Sequence, residues 1–154
     1  MRLFFFIFMT AFTFSALAES PIPQKDLLMC SFTEPFFNIT YDANRGTVTY
    51  VGVDSYDKNT GTFASETLAQ NAKIVGSDLD NSVMGSKFQL LDDKGQVILH
   101  LVLNFQGSNG MSDEIYPFDA WYMGSKLHYP LQGGCESTSA PAVNPLEILE
   151  KLKR

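Results

Sequence analysis

Lys87-Phe88-Gln89-Leu90-Leu91, Asp92-Asp93-Lys94-Gly95, then Gln96-Val97-Ile98-Leu99-His100-Leu101-Val102-Leu103-Asn104-Phe105: two apolar runs flank a polar break that ends in glycine. This is the pattern of a β-hairpin, with turn chemistry between two stretches of strand-forming residues. In the second run Val97, Leu99, Leu101, Leu103 and Phe105 fall on one face, and Ile98, His100, Val102 and Asn104 on the other. Side chains alternate across a strand, and both sets are largely apolar, so a central strand covered in part on both sides is expected. His100 on such a strand reads first as a structural histidine and only secondarily as a catalytic one.

The same grammar extends in both directions. Downstream, Tyr116 to Met123 and Lys126 to Leu131 read as strands around Gly124-Ser125, and Gly133-Gly134-Cys135 leaves room for a close backbone approach. Upstream, Leu27 to Phe32 reads as a first strand, and Phe37, Ile39 and Tyr41 alternate with Asn38 and Thr40. Asp42 to Gly46 supplies a turn into the β-branched run Thr47 to Val53, and Lys58-Asn59-Thr60-Gly61 a further turn. Thr67 to Val75 suits helix or strand equally. Gly76 to Gly85, with Asp78, Asp80 and Asn81, reads as a solvated loop without the glycine and terminal glutamate of a calcium hand. Short strands joined by tight turns predict an all-β antiparallel domain over residues 27–136, a small barrel or sandwich of about eight strands. A spacer over 137–143 leads to a short helix over 144–154, where Asn144 caps, Pro145 takes the first position, and Leu146, Leu149 and Leu152 form one stripe.

The chain opens with Met1-Arg2, an apolar run through Phe14, and Ala16-Leu17-Ala18 before Glu19. A positive start, an apolar stretch and small-x-small describe a signal peptide over 1–18, cleaved after Ala18, with an extended leader over 19–26. The expected location is therefore periplasmic or secreted, with no stable membrane insertion after cleavage. The formal charge is −6 and Arg2 leaves with the signal, so the exported part is more acidic still. That disfavours nucleic acid as a partner and permits a cationic protein. The only two cysteines, Cys30 and Cys135, lie near the two ends of the domain. In an exported chain they are expected to pair, closing a loop worth about 4–5 kcal/mol in the chain-entropy account. With only His100 and His128 beside them, paired metal-ligand spacing is missing, so neither a metal nor a cofactor is expected.

No nucleophile elbow, phosphate loop, zinc-helix motif or dinucleotide fingerprint occurs in the chain, and an enzyme is not the favoured reading. Two segments stand out instead. In Phe32-Thr33-Glu34-Pro35-Phe36-Phe37-Asn38 a carboxylate sits between aromatics, and in Gly107 to Phe118 a Gly/Asn/Ser loop brings Met111, Ser112, Asp113 and Glu114 together before Tyr116. The candidate binding residues are therefore Glu34, Phe36, Phe37, Met111, Ser112, Asp113, Glu114 and Tyr116. In each segment a plain structural role competes: aromatics that fill the core, and polar side chains that shape a loop.

Thr33-Glu34-Pro35-Phe36-Phe37 resembles the Gly-Thr-Glu-Pro-Phe-Trp signature of a family of small exported Gram-negative proteins, many of them lipoproteins. Gly110-Met111-Ser112-Asp113 with Tyr116-Pro117-Phe118 resembles that family's second signature, and Gly134-Cys135 its closing Gly-Cys. Phe32 stands where the family has its first glycine and Phe37 where it has tryptophan. The general layout is also similar to the periplasmic inhibitors of C-type lysozyme, small exported β-barrels with disulfide-tied terminal strands. These resemblances imply a binding module, with inhibition of lysozyme or another cell-wall-degrading enzyme as the leading expectation. In that reading the Gly110–Glu114 loop enters a cationic cleft. The alternative is a lipocalin-like carrier holding a small apolar ligand among Phe36, Phe37, Trp121 and Tyr122. A hydrolase using Glu34 or Asp113 comes last.

Overall fold

The computed structural model describes Pro23 and residues 25–77, 85–126 and 130–146. The expected signal peptide, most of the leader, the polar loop over 78–84, His128 and the helix beyond Leu146 lie outside the described residues. At the start of that last segment the Leu146 backbone N–H donates to the Asn144 side chain at 2.9 Å. Among the described residues no helix is long and apolar enough to cross a membrane.

The domain is all-β, with eleven strands among the described residues where about eight were expected. They are β1 (Leu27–Thr33), β2 (Phe36–Asp42), β3 (Thr47–Gly52), β4 (Tyr56–Asp57), β5 (Thr62–Phe63), β6 (Glu66–Ala69), β7 (Lys73–Ser77), β8 (Ser86–Leu91), β9 (Val97–Gly107), β10 (Tyr116–Tyr122) and β11 (Leu131–Ser137). Nine of them form one antiparallel sheet in the order β6-β3-β2-β1-β11-β10-β9-β8-β7, and β4 and β5 form a separate hairpin. The sheet curls into a half-barrel: its edges, β6 and β7, are not paired with each other. The higher count has local causes. The ambiguous stretch after Thr67 breaks at Gln70 to Ala72, where Asn71 takes φ +54°, and the turn at Lys58 to Gly61 carries a short strand on each side. Residues 127–129 of the strand expected over Lys126–Leu131 lie outside the described residues; β11 runs over Leu131–Ser137, so Gly133, Gly134 and Cys135 lie inside a strand.

Alternation fills the concave side. Leu28, Cys30 and Phe32 of β1, Phe37, Ile39 and Tyr41 of β2, and Phe118, Ala120 and Tyr122 of β10 are all buried in one cluster. Four rings pack inside it: Phe32 stacks on Phe37 at 4.4 Å, and Phe37 lies 5.4 Å from both Tyr50 and Tyr122. Gly52 leaves space for the Tyr50 ring, since a methyl group there would overlap its hydroxyl. Cys30 and Cys135 stand directly opposite each other on β1 and β11 and are joined by a disulfide spanning 105 residues. The expected pairing thus clamps the two terminal strands at the middle of the sheet.

One strand departs from simple alternation. Between β9 and β10 the register moves from Leu103↔Phe118 to Gly107↔Tyr116, so three residues of β9 face one of β10. Inside this bulge Phe105 takes φ +54° and is 57% exposed, although simple alternation puts it on the same face as Leu99 and Leu101, which are buried. A bulge re-aims the side chains beyond it, and here it also lets the chain fold back over the outside of the sheet.

Candidate functional site

The two segments singled out from the sequence meet on the outer face of β1, β2 and β3. Ser31, Asn38 and Val51 lie in one cross-strand row, since Ser31 pairs Asn38 and Asn38 pairs Val51. Thr33 and Phe36 are paired in the next row. After β9 the chain from Ser108 to Glu114 crosses the outside of β11 and β1. Its Ser108 backbone lies against Gly134, where a side chain would also strike the Tyr116 ring, and its Gly110 faces the Thr33 hydroxyl. Glycine at 134 is therefore what allows loop and ring to sit flat on the sheet.

The resulting groove encloses about 330 Å³ between Asn109 and Met111 on one side and Phe63 of β5 on the other, with Phe36 and Val53 in its bed. Its apolar groups are open to solvent: Phe36 is 52% exposed, Phe63 54% and Met111 65%. Tyr56 lies 5.0 Å from Phe63 and extends the aromatic surface along the β4–β5 hairpin. A second hollow, of about 780 Å³, shares Thr33, Phe36 and Val53 with the groove and is bordered by Glu34. A carboxylate thus rims an apolar trough.

The loop is held by its own polar groups. Asn109 Oδ1 accepts hydrogen bonds from the backbone N–H groups of Met111 and Ser112 at 3.0 and 2.9 Å, and its amide donates to the Tyr116 hydroxyl at 3.0 Å. The Tyr116 hydroxyl in turn donates to Glu114 at 3.1 Å. Burial pushes the Tyr116 phenol above its usual value; the Ser112 bond pulls it down, and Glu114 raises it further. Of the residues expected to bind, Ser112, Glu114 and Tyr116 are thus engaged within the loop, and Met111 and Asp113 face outward. Phe36 and Glu34 are exposed, whereas Phe37 belongs to the core. The sequence reading missed Asn109, Val51, Val53 and Phe63. An Asn two and three residues before the N–H groups it fixes is a recognisable signal, but nothing in the sequence brings the β4–β5 hairpin to this face.

A second cluster of side chains lies near Tyr50. The Tyr50 hydroxyl donates to Asp54 at 2.7 Å, and Lys126 sits 3.9 Å above the Tyr50 ring, paired with Asp54 at 3.5 Å and with Glu66. The Tyr50 bond holds Asp54 below the usual carboxylate range; burial works against it, and Lys126 adds to the lowering. Burial pulls Lys126 down, but its bond to Glu66 and the charge of Asp54 outweigh this and raise it. These charges satisfy one another and fasten the β10–β11 connection to β3 and β6.

The four residues expected to line one carrier cavity are dispersed. Phe37 and Tyr122 touch inside the core, Phe36 lies on the outer face of β2, and Trp121 lies on the outer face of β10. Among the described residues no group of three or more His, Cys, Asp or Glu could hold a metal ion. Compared with known proteins, the chain matches no family, no curated protein and no solved structure.

Proposed function

We propose that this chain is an exported, periplasmic or secreted binding module that engages a basic protein through the groove between Met111 and Phe63. The leading case is inhibition of a lysozyme or another cell-wall-degrading enzyme. One observation carries the reading: two segments about 75 residues apart by number, around Phe36 and Met111, converge on one solvent-open apolar groove. Beneath it the core is filled by packed rings. Exposed apolar surface in a polar rim is characteristic of an interaction site, and an exposed, adaptable Met beside aromatics matches the residues enriched at protein interfaces. Glu34 on the adjoining hollow and the exposed Asp113, two residues after Met111, suit a cationic partner, with charge steering the encounter. The carrier alternative has less support, because its proposed lining residues occupy different faces of the sheet.

The test is an assay of cell-wall lysis by C-type, G-type and I-type lysozymes with the purified protein added. Met111→Asp and Asp113→Ala variants are run beside it. Inhibition by the parent is expected to fall by about tenfold in Met111→Asp, the loss of one buried apolar anchor. Asp113→Ala should mainly slow association and reduce its salt dependence. Absence of inhibition by the parent at large molar excess removes the lysozyme reading.

A further inference from the structure

The outer face of β8, β9 and β10 carries a second concavity, of about 300 Å³, remote in the sheet order from the groove on β1 to β3. Its bed is the cross-strand row Gln89–His100–Trp121, fixed by the pairings Gln89↔His100 and His100↔Trp121. Lys87 and Val102, paired in the next row, border it on one side and Met123 on the other. Trp121 is the only tryptophan of the chain. Alternation aims it outward, while Ala120 and Tyr122 on either side fill the core, so core packing does not account for it. Among the described residues no strand packs over this row.

Charge and size narrow what fits. In a chain of net charge −6 this hollow is lined by Lys87 and His100 and by no carboxylate. Asp119 ends the neighbouring row, opposite Val102, outside the lining of the hollow, and its carboxylate accepts a hydrogen bond from the Asn104 amide. The Gln89 amide and a His100 ring nitrogen stand together at 3.4 Å, offering adjacent hydrogen-bonding groups. Two strand spacings of about 4.8 Å separate β8 from β10, so the row is roughly 10 Å wide, the width of one six-membered ring with a substituent. The geometry points to a site for a sugar ring that carries a carboxylate. The ring's C–H face lies on the negative face of the indole of Trp121, its hydroxyls meet Gln89 and His100, and its carboxylate pairs with Lys87.

The fluorescence of the single tryptophan reports directly on this face. The purified protein is titrated with N-acetylmuramic acid and with N-acetylglucosamine, which lacks the acid's carboxylate. A saturable change is expected with the acid, with the neutral sugar binding about threefold or more weakly, a gap that salt and Lys87→Gln both reduce. Met111→Asp, on the other face, should leave the titration unchanged, which separates this site from the proposed protein-binding groove. An unresponsive Trp121, equal binding of both sugars, or an unaltered gap in Lys87→Gln each overturns the assignment.

Discussion

The outer face of β1 to β3 and the outer face of β8 to β10 belong to the same curled sheet, lie over the same core, and have been given opposite chemistry. The first is an apolar trough, walled by a loop and a hairpin that both come from elsewhere in the chain, with Glu34 at its rim. The second is bare sheet, where a tryptophan, a histidine, a glutamine and a lysine stand in register with nothing described above them. The difference lies in how each is built. The second depends only on the register of three consecutive strands, β8 with β9 and β9 with β10. The first depends on the bulge at Phe105 and on the fold-back of Ser108 to Glu114, so it exists only once the terminal strands have paired.

The largest expected effect tests what the two faces share. Phe37 touches Phe32, Tyr50 and Tyr122 in the core, so Phe37→Ala should destabilise the domain by about 3–5 kcal/mol. Denaturant unfolding followed by Trp121 fluorescence checks this. Because the core underlies both faces, the response of Trp121 and the loss of partner binding should appear together; separate transitions would show that the faces are independent units.

A smaller effect should divide them. Asn109 supplies the acceptor that fixes the backbone of Met111 and Ser112 and the donor to Tyr116. Asn109→Ala leaves these groups without that partner and should cost about 1–2 kcal/mol, together with loss of partner binding at the trough. Trp121 fluorescence of the folded variant should match the parent. A changed Trp121 signal would mean that the loop and the β8 to β10 face are coupled.

The smallest effect is confined to alkaline pH. Burial raises Tyr41, Tyr50, Tyr116 and Tyr122 above the ordinary phenol value of 10.0, with Asp54 adding to it at Tyr50 and Glu114 at Tyr116. The folded chain therefore holds these protons where the unfolded chain releases them. Their contribution is complete below pH 10.0 and is lost as pH rises through the folded values. Urea midpoints measured across this range should fall in the parent and fall less steeply in Tyr116→Phe, whose ring lies under the loop on the outer face. An equal slope in both would place the alkaline sensitivity in the core tyrosines alone.

Much of the fold was legible because alternation reports directly on burial. Phe37, Ile39 and Tyr41 face inward as their spacing indicates, and Gly46 takes the positive φ, +63°, that its turn requires. Phe105 was misplaced because a bulge, which composition does not mark, interrupts the period. Phe36 and Phe37 look alike in sequence, yet adjacent residues of a strand point to opposite faces, so one is surface and the other core. Met111 was legible as a candidate, whereas Val53 and Phe63 were not, since they join it only through the path of the β4–β5 hairpin.

By itself the sequence determined the β class, the hairpin at Asp92 to Gly95, the pairing of Cys30 with Cys135 as the only two thiols, and the two segments worth examining. These follow from local period, turn residues and residue identity, all of which act over a few positions. The tertiary structure decided that the sheet stays open between β6 and β7, that Phe36 and Met111 share a trough, and that Gln89, His100 and Trp121 form a row. Those facts depend on register and curvature across strands distant in the chain, which no local pattern encodes.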